Sequence, residues 1–226
     1  MIDWGRRAAV VAMCFVTMMS IAGTQIAQAQ ERAPTIRSVQ IGTQEIRLAA
    51  PESFCFVDPK KRAHQSAWEY VQSQTEGELF VAAVALCAGL AAGEPIGLTA
   101  LFAVSSETDL PREAVLDNAN GIMTTTVAPV YRDHDLFARE SMRRFKETEK
   151  MEIASFRDEE VFVQMGTDGP REVLFMLGMT PLRVMILRSL TLYPITEEKG
   201  VAFSLWLHTE LLGSVRRNTP GWSRDD

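Results

Sequence analysis

Three histidines occur in the chain, His64, His134 and His208, and none stands at a spacing that brings a second metal ligand or a nucleophile with it. His208 has the most demanding surroundings. On a helical projection it shares an apolar face with Val201, Leu205, Leu212 and Val215, while Glu210 and Arg217 fall on the other side. A histidine buried there needs partners: either it is a neutral ring hydrogen-bonded within the core, the simpler reading, or it is a polar group at the floor of a ligand pocket. Arg188 poses a similar question. It breaks the apolar parity of Val184, Ile186, Leu190 and Leu192, so in a regular strand it points inward unless the strand is an edge or carries a bulge. An inward arginine calls for a carboxylate, with Glu152, Glu160 and Glu172 as candidates, and a structural ion pair explains it more simply than an anion site. His208 and Arg188 are the two candidate ligand-binding residues.

The remaining reactive groups have plainer explanations. Asp133-His134-Asp135 is the most ligand-like cluster, yet neighbours on a helix point about 100° apart and one ion does not easily take all three. Acids in a first turn complement the helix dipole, which accounts for them without a metal. His64 lies one turn before Trp68 and is expected to stack at a surface edge. Met165, Met176, Met179 and Met185 gather near the C-terminus and raise copper(I) as an option in an oxidising compartment. Strand alternation puts Met176 and Met179 on opposite faces, so core packing is the better account. Metalloprotease H-E-x-x-H, hydrolase G-x-S-x-G, glycine-rich phosphate loops and EF-hand patterns are absent from the sequence. No catalytic residue, metal or cofactor is assigned.

The cysteines depend on the first thirty residues. Asp3 to Arg7 is short and basic, Ala8 to Ala22 is apolar apart from Thr17 and Ser20, and Ala27-Gln28-Ala29 sets small residues at −3 and −1 of a cleavage site. Residues 1–29 therefore read as a signal peptide that forms a cleavable helix, with Gln30 as the mature N-terminus. A retained anchor would need about 20 apolar residues, so no stable membrane span is expected after cleavage. A lipoprotein would need a small residue before its cysteine, but Cys14 follows Met13. Arg6-Arg7 lacks the rest of a twin-arginine pattern, and general secretory export of an unfolded chain is favoured. Cleavage leaves Cys55 and Cys87, and a lone pair in an oxidising compartment is expected to form a disulfide.

These residues must be positioned by a single domain, residues 30–226. After a polar lead, Arg37 to Ala49 reads as a strand or a hairpin about Gly42-Thr43. Asp58-Pro59 opens a helix from Lys60 to Gln74 with Ala63, Ala67, Trp68, Tyr70 and Val71 on its apolar face. Leu79 to Leu90 reads as a buried strand, and Ile96 to Val104 returns beside it. Helices follow from Asp109-Leu110-Pro111 to Gly121 and from Asp133 to Glu149, the latter with Ala138, Met142 and Phe145 inward and an exposed Glu140–Arg144 pair. Val161 to Met165, Val173 to Met179 and Val184 to Tyr193 form an antiparallel meander with turns at 167–170 and Thr180-Pro181. Glu198 to Val215 is a helix, apolar around most of its circumference, that lies across the sheet. The fold class is α+β: an antiparallel sheet covered by helices, an α/β sandwich.

The run Leu48-Ala49-Ala50-Pro51-Glu52-Ser53-Phe54-Cys55, together with this order of elements, resembles PsbP-like α/β sandwich domains of small exported accessory proteins. It is also similar to a segment of uncharacterised secreted proteins of Gram-negative bacteria. The resemblance implies a binding or assembly role, by analogy of fold. Charge narrows the partner. Loss of Arg6, Arg7 and Asp3 takes the formal charge from −6 to −7, which argues against nucleic acid or an anionic membrane. The expected function is that of a periplasmic or secreted non-catalytic protein that binds another protein or a cell-envelope component. The alternative is a periplasmic hydrolase or small-ligand-binding protein with its site near His208.

Overall fold

The computed structural model describes residues 35–41, 44–74, 79–105, 111–123, 128–147, 152–167, 174–182 and 185–219. The signal segment, the Gly42-Thr43 turn and residues 168–170 lie outside them. Ten strands and five α-helices are described: β1 Ile36–Ile41, β2 Gln44–Ala49, β3 Phe54–Phe56, α1 Gln65–Ser73, β4 Leu79–Leu86, α2 Cys87–Ala92, β5 Thr99–Ser105, α3 Arg112–Met123, β6 Val130–Tyr131, α4 His134–Glu147, β7 Glu152–Arg157, β8 Phe162–Thr167, β9 Leu174–Pro181, β10 Met185–Thr191 and α5 Glu198–Asn218. β1 and β2 form their own two-stranded antiparallel sheet, while the other eight strands run in the order β3-β4-β5-β10-β9-β8-β7-β6. All pairs in the large sheet are antiparallel except β6 with β7, which is parallel. Among the described residues no helix is long and apolar enough to cross a membrane.

Alternation along the strands sends side chains into different layers. On one face Leu101, Met165, Met176 and Leu187 join Phe137 and Met142 of α4 and Leu205, Leu211 and Leu212 of α5. On the other face Ala100 and Phe102 pack with Ala67 and Val71 of α1, and Phe162 and Met179 pack with Val115, Leu116 and Ala119 of α3. Met176 and Met179 thus sit on opposite faces, both buried. The all-round apolarity of α5 has a structural cause. The helix is held between the large sheet and the β1–β2 hairpin, whose Ile41, Ile46 and Leu48 belong to the same core. The Arg47 and Ala49 amides of β2 donate to Thr219 Oγ1 and Ser214 Oγ at the far end of α5.

Several boundaries differ from the sequence reading. Asp58 caps a turn through the Lys60 amide, a single 3-10 turn Arg62–His64 follows, and α1 starts only at Gln65. Its inward face is Ala67 and Val71; Ala63 and Tyr70 are exposed. The apolar run from Leu79 is strand only to Leu86. Cys87 then opens a six-residue helix that Gly93 ends in the left-handed conformation, φ 78°, which favours glycine. Thr180-Pro181 belongs to β9 and is not a turn; the chain reverses beyond it, where the Leu182 amide donates to the Met185 carbonyl. On α4, Glu140 pairs with Arg143 at 2.8 Å and not with Arg144, because the Arg144 Nε donates to the Ile153 carbonyl of β7.

Candidate functional site

α5 lays His208 directly on the strands. The ring is fully buried, with Nδ1 2.5 Å from Ser189 Oγ and Nε2 2.7 Å from Thr191 Oγ1, both hydroxyls projecting from the same face of β10. A neutral imidazole donates from one nitrogen and accepts at the other, so two hydroxyls satisfy it completely. Burial pushes its pKa down to about 3, since a charged ring there would lose its hydration. Close approach of α5 depends on Gly178 in β9. A Cβ at that position would lie 2.5 Å from Ser189 Oγ, 2.8 Å from Leu212 Cδ1 and 2.9 Å from His208 Nδ1. Both hydrogen bonds on the ring go to hydroxyls, and neither goes to a carboxylate. The arrangement can join helix to sheet. With a hydroxyl on each ring nitrogen, no carboxylate orients the ring in the way a catalytic triad requires.

Arg188 is half-buried on the opposite face, paired across the sheet with Phe102 of β5 and Met179 of β9. The structure therefore does not bring His208 and Arg188 together. Of the proposed acid partners, Glu160 engages Arg216 at 3.4 Å, and Glu172 lies outside the described residues. The other histidines are also placed. Asp133 Oδ1 accepts the Leu136 amide at 2.7 Å, which makes Asp133 a helix cap, and the exposed His134 ring lies 4.5 Å from that of Phe156. Among the described residues no group of three or more His, Cys, Asp or Glu side chains could hold a metal ion. His64 is buried rather than at a surface edge, and its Nδ1 accepts the Asp58 amide at 3.0 Å. Burial first and then the Lys61 charge lower its pKa, with Asp58 opposing them.

Cys55 of β3 and Cys87 at the start of α2 are bonded, 32 residues apart in sequence. Closing a loop of this length stabilises the fold by about 4 kcal/mol in the chain-entropy account. The bridge fixes β3, an edge strand, beside the α2 turn, and the Cys87 amide donates to the Ser53 carbonyl at 2.9 Å. Ser53 has φ 68°, a left-handed conformation that costs a non-glycine residue free energy. Next to it begins a feature that the sequence reading missed. The Phe54 ring stacks on Phe203 at 6.0 Å, both rings meet Trp206 at 6.2 and 5.9 Å, and Tyr193 reaches Phe203 at 6.4 Å. Gly97, with φ 70°, lets the chain pass over these rings; a Cβ there would sit 3.3 Å from Phe54. Phe54 is buried, but Trp206 is 40% exposed and Ile96, next to Gly97, is 55% exposed. The only signal in the sequence was the i, i+3 spacing of Phe203 and Trp206, because the other rings come from distant segments.

Tyr193 anchors the cluster from beneath. Ser204 donates its hydroxyl proton to the Gly200 carbonyl at 2.8 Å, so the Tyr193 hydroxyl, 2.6 Å away, donates to Ser204 Oγ. Burial pushes the Tyr193 pKa up to about 12, against a smaller lowering from the Ser204 hydrogen bond. Comparison with known proteins returns no matching family model, no curated protein and no solved structure.

Proposed function

We propose that the protein is an exported, non-catalytic domain, periplasmic or secreted, that binds an apolar segment of another protein. One observation carries this reading: the Phe54–Phe203–Trp206 cluster, which runs from a buried ring to a partly exposed one beside the exposed Ile96. Aromatic rings on a rigid base supply large contact area at little entropic cost, and they concentrate binding energy at interface centres. The base here is rigid because the disulfide ties β3 to α2 and Tyr193 is hydrogen-bonded into α5. The disulfide also supports an oxidising compartment. A protein segment is favoured over an anionic lipid surface because the chain is acidic. The resemblance to PsbP-like α/β sandwich accessory proteins points the same way by analogy only.

The test is a photo-crosslinking phenylalanine analogue placed at position 206 in the full chain, with the same group at exposed Glu69 as the control. The reading predicts a discrete adduct from position 206 that Ile96→Ser weakens and that the control position does not form. Equal labelling from 206 and 69, or none from 206, overturns it.

A further inference from the structure

The disulfide joins the two segments that wall the aromatic surface. Cys55 follows Phe54 in β3, and Cys87 opens α2, beyond which the chain turns at Gly93 and returns through Ile96 and Gly97. The walls meet at Gly97, where a Cβ would lie 3.3 Å from the Phe54 ring and 3.6 Å from that of Phe203. α2 and the returning segment are packed as one piece. The Glu94 amide donates to the Gly89 carbonyl and the Leu86 amide to the Ile96 carbonyl, each at 2.9 Å, and a Cβ on Gly89 would overlap the Glu94 carbonyl oxygen.

β3 itself is weakly held. It is a three-residue edge strand paired, among the described residues, with β4 alone. It follows Ser53, whose left-handed φ of 68° persists only where the surroundings impose it. Those surroundings are the bond from the Cys87 amide to the Ser53 carbonyl and the Cys55–Cys87 bond; beyond them β3 keeps the Val57 amide on the Ala83 carbonyl and the burial of Phe54. β8 and β9, in contrast, are paired on both sides. We propose that the Cys55–Cys87 bond is a redox switch on the aromatic surface, which is assembled in the oxidised chain and dismantled in the reduced one while the rest of the sheet stays folded. This regulation rests on the binding role proposed above for Phe54, Phe203 and Trp206. Both cysteines are half-buried, so a dithiol reductant reaches the bond. One of its thiolates displaces a cysteine thiolate to form a mixed disulfide, its second thiolate closes the reductant's own disulfide, and the two protons of the dithiol end on Cys55 and Cys87. A chain still in a reducing compartment then lacks the surface, and a chain in an oxidising one has it.

Hydrogen exchange of the purified full chain, read by mass spectrometry before and after dithiothreitol, tests the structural half. Reduction should speed exchange across residues 53–57 and 94–97 about tenfold or more, with β8 and β9 unchanged. Cys55→Ser with Cys87→Ser should show the same pattern without dithiothreitol. The binding half is read with the crosslinking analogue at position 206, in the wild type and in that double variant, which should give severalfold less adduct. Unchanged exchange at 53–57 and 94–97 after reduction overturns the switch, and so does loss of protection through β8 and β9, which would make the bond a support of the whole sheet. Equal adducts from the two chains overturn the switch and leave the binding surface standing. No adduct from either overturns the binding role, and the switch with it.

Discussion

Replacing His208 by glutamine should remove a specific part of the protein's acid sensitivity. The His208 ring has its pKa lowered from 6.5 to about 3, and burial is the cause. The unfolded chain therefore takes up a proton, as pH falls through 6.5, that the folded chain refuses. The stability contributed by the neutral ring is complete above 6.5 and is lost as pH falls toward 3. Linkage puts the loss at about 2 kcal/mol between pH 7.5 and 5, and at roughly 5 kcal/mol once both states are protonated. The upper window is the useful one because carboxylates titrate below it. Glutamine keeps one donor and one acceptor for Ser189 and Thr191 but does not titrate. Urea unfolding followed by tryptophan fluorescence at pH 7.5 and pH 5 should show the wild type losing about 2 kcal/mol more than His208→Gln. His64, whose pKa is also lowered, acts with the same sign but is present in both proteins and cancels. Equal losses in the two proteins would refute the argument that His208 is held neutral by burial.

Three further outcomes are expected. Gly178→Ala forces a methyl group against Ser189, Leu212 and His208 and should cost about 1–3 kcal/mol or more, seen as a lower melting temperature; an unchanged one would mean that α5 does not approach β9 so closely. Cys55→Ala with Cys87→Ala should lower unfolding free energy by about 3–4 kcal/mol, and the same denaturation measured with and without reductant on the wild type should agree. In an ultraviolet pH titration, Tyr193 should ionise only near pH 12; because the unfolded chain releases this proton first, stability should fall as pH rises past 10, and Tyr193→Phe should remove that slope while costing about 1 kcal/mol at neutral pH.

What could be read from the sequence was whatever repeats within one element. The periodicity of α4 placed Ala138 and Met142 inward, and the apolar surroundings of His208 foretold its burial. Its partners were not legible, because Ser189 and Thr191 reach it from a strand 17 to 19 residues earlier in the chain. Nor was the reason α5 is apolar on more than one side, which lies in the separate β1–β2 hairpin. β3 and β6 have three and two residues, too few for alternation to register. In β7 the register shifts between Glu152 and Ala154, so Ile153 and Ala154 join the same core and the period of two is broken. The step from β4 into α2 was hidden because small apolar residues continue unchanged from Val81 to Ala92. The aromatic cluster was missed for a related reason: its rings come from β3, the segment after β10 and α5, and only folding brings Phe54 and Tyr193 within 6.4 Å of Phe203.

The central proposal, an exported domain that holds a partner through its aromatic cluster, is tested most directly by running the crosslinking at position 206 in two chains. One is the full sequence and the other lacks residues 2–29, both expressed in the cell of origin. The account predicts a discrete adduct with another protein from the full chain and none from the shortened one, which does not reach the compartment of the partner. The same adduct from both chains would contradict export as the condition for binding, and no adduct from either would contradict the cluster as the binding surface.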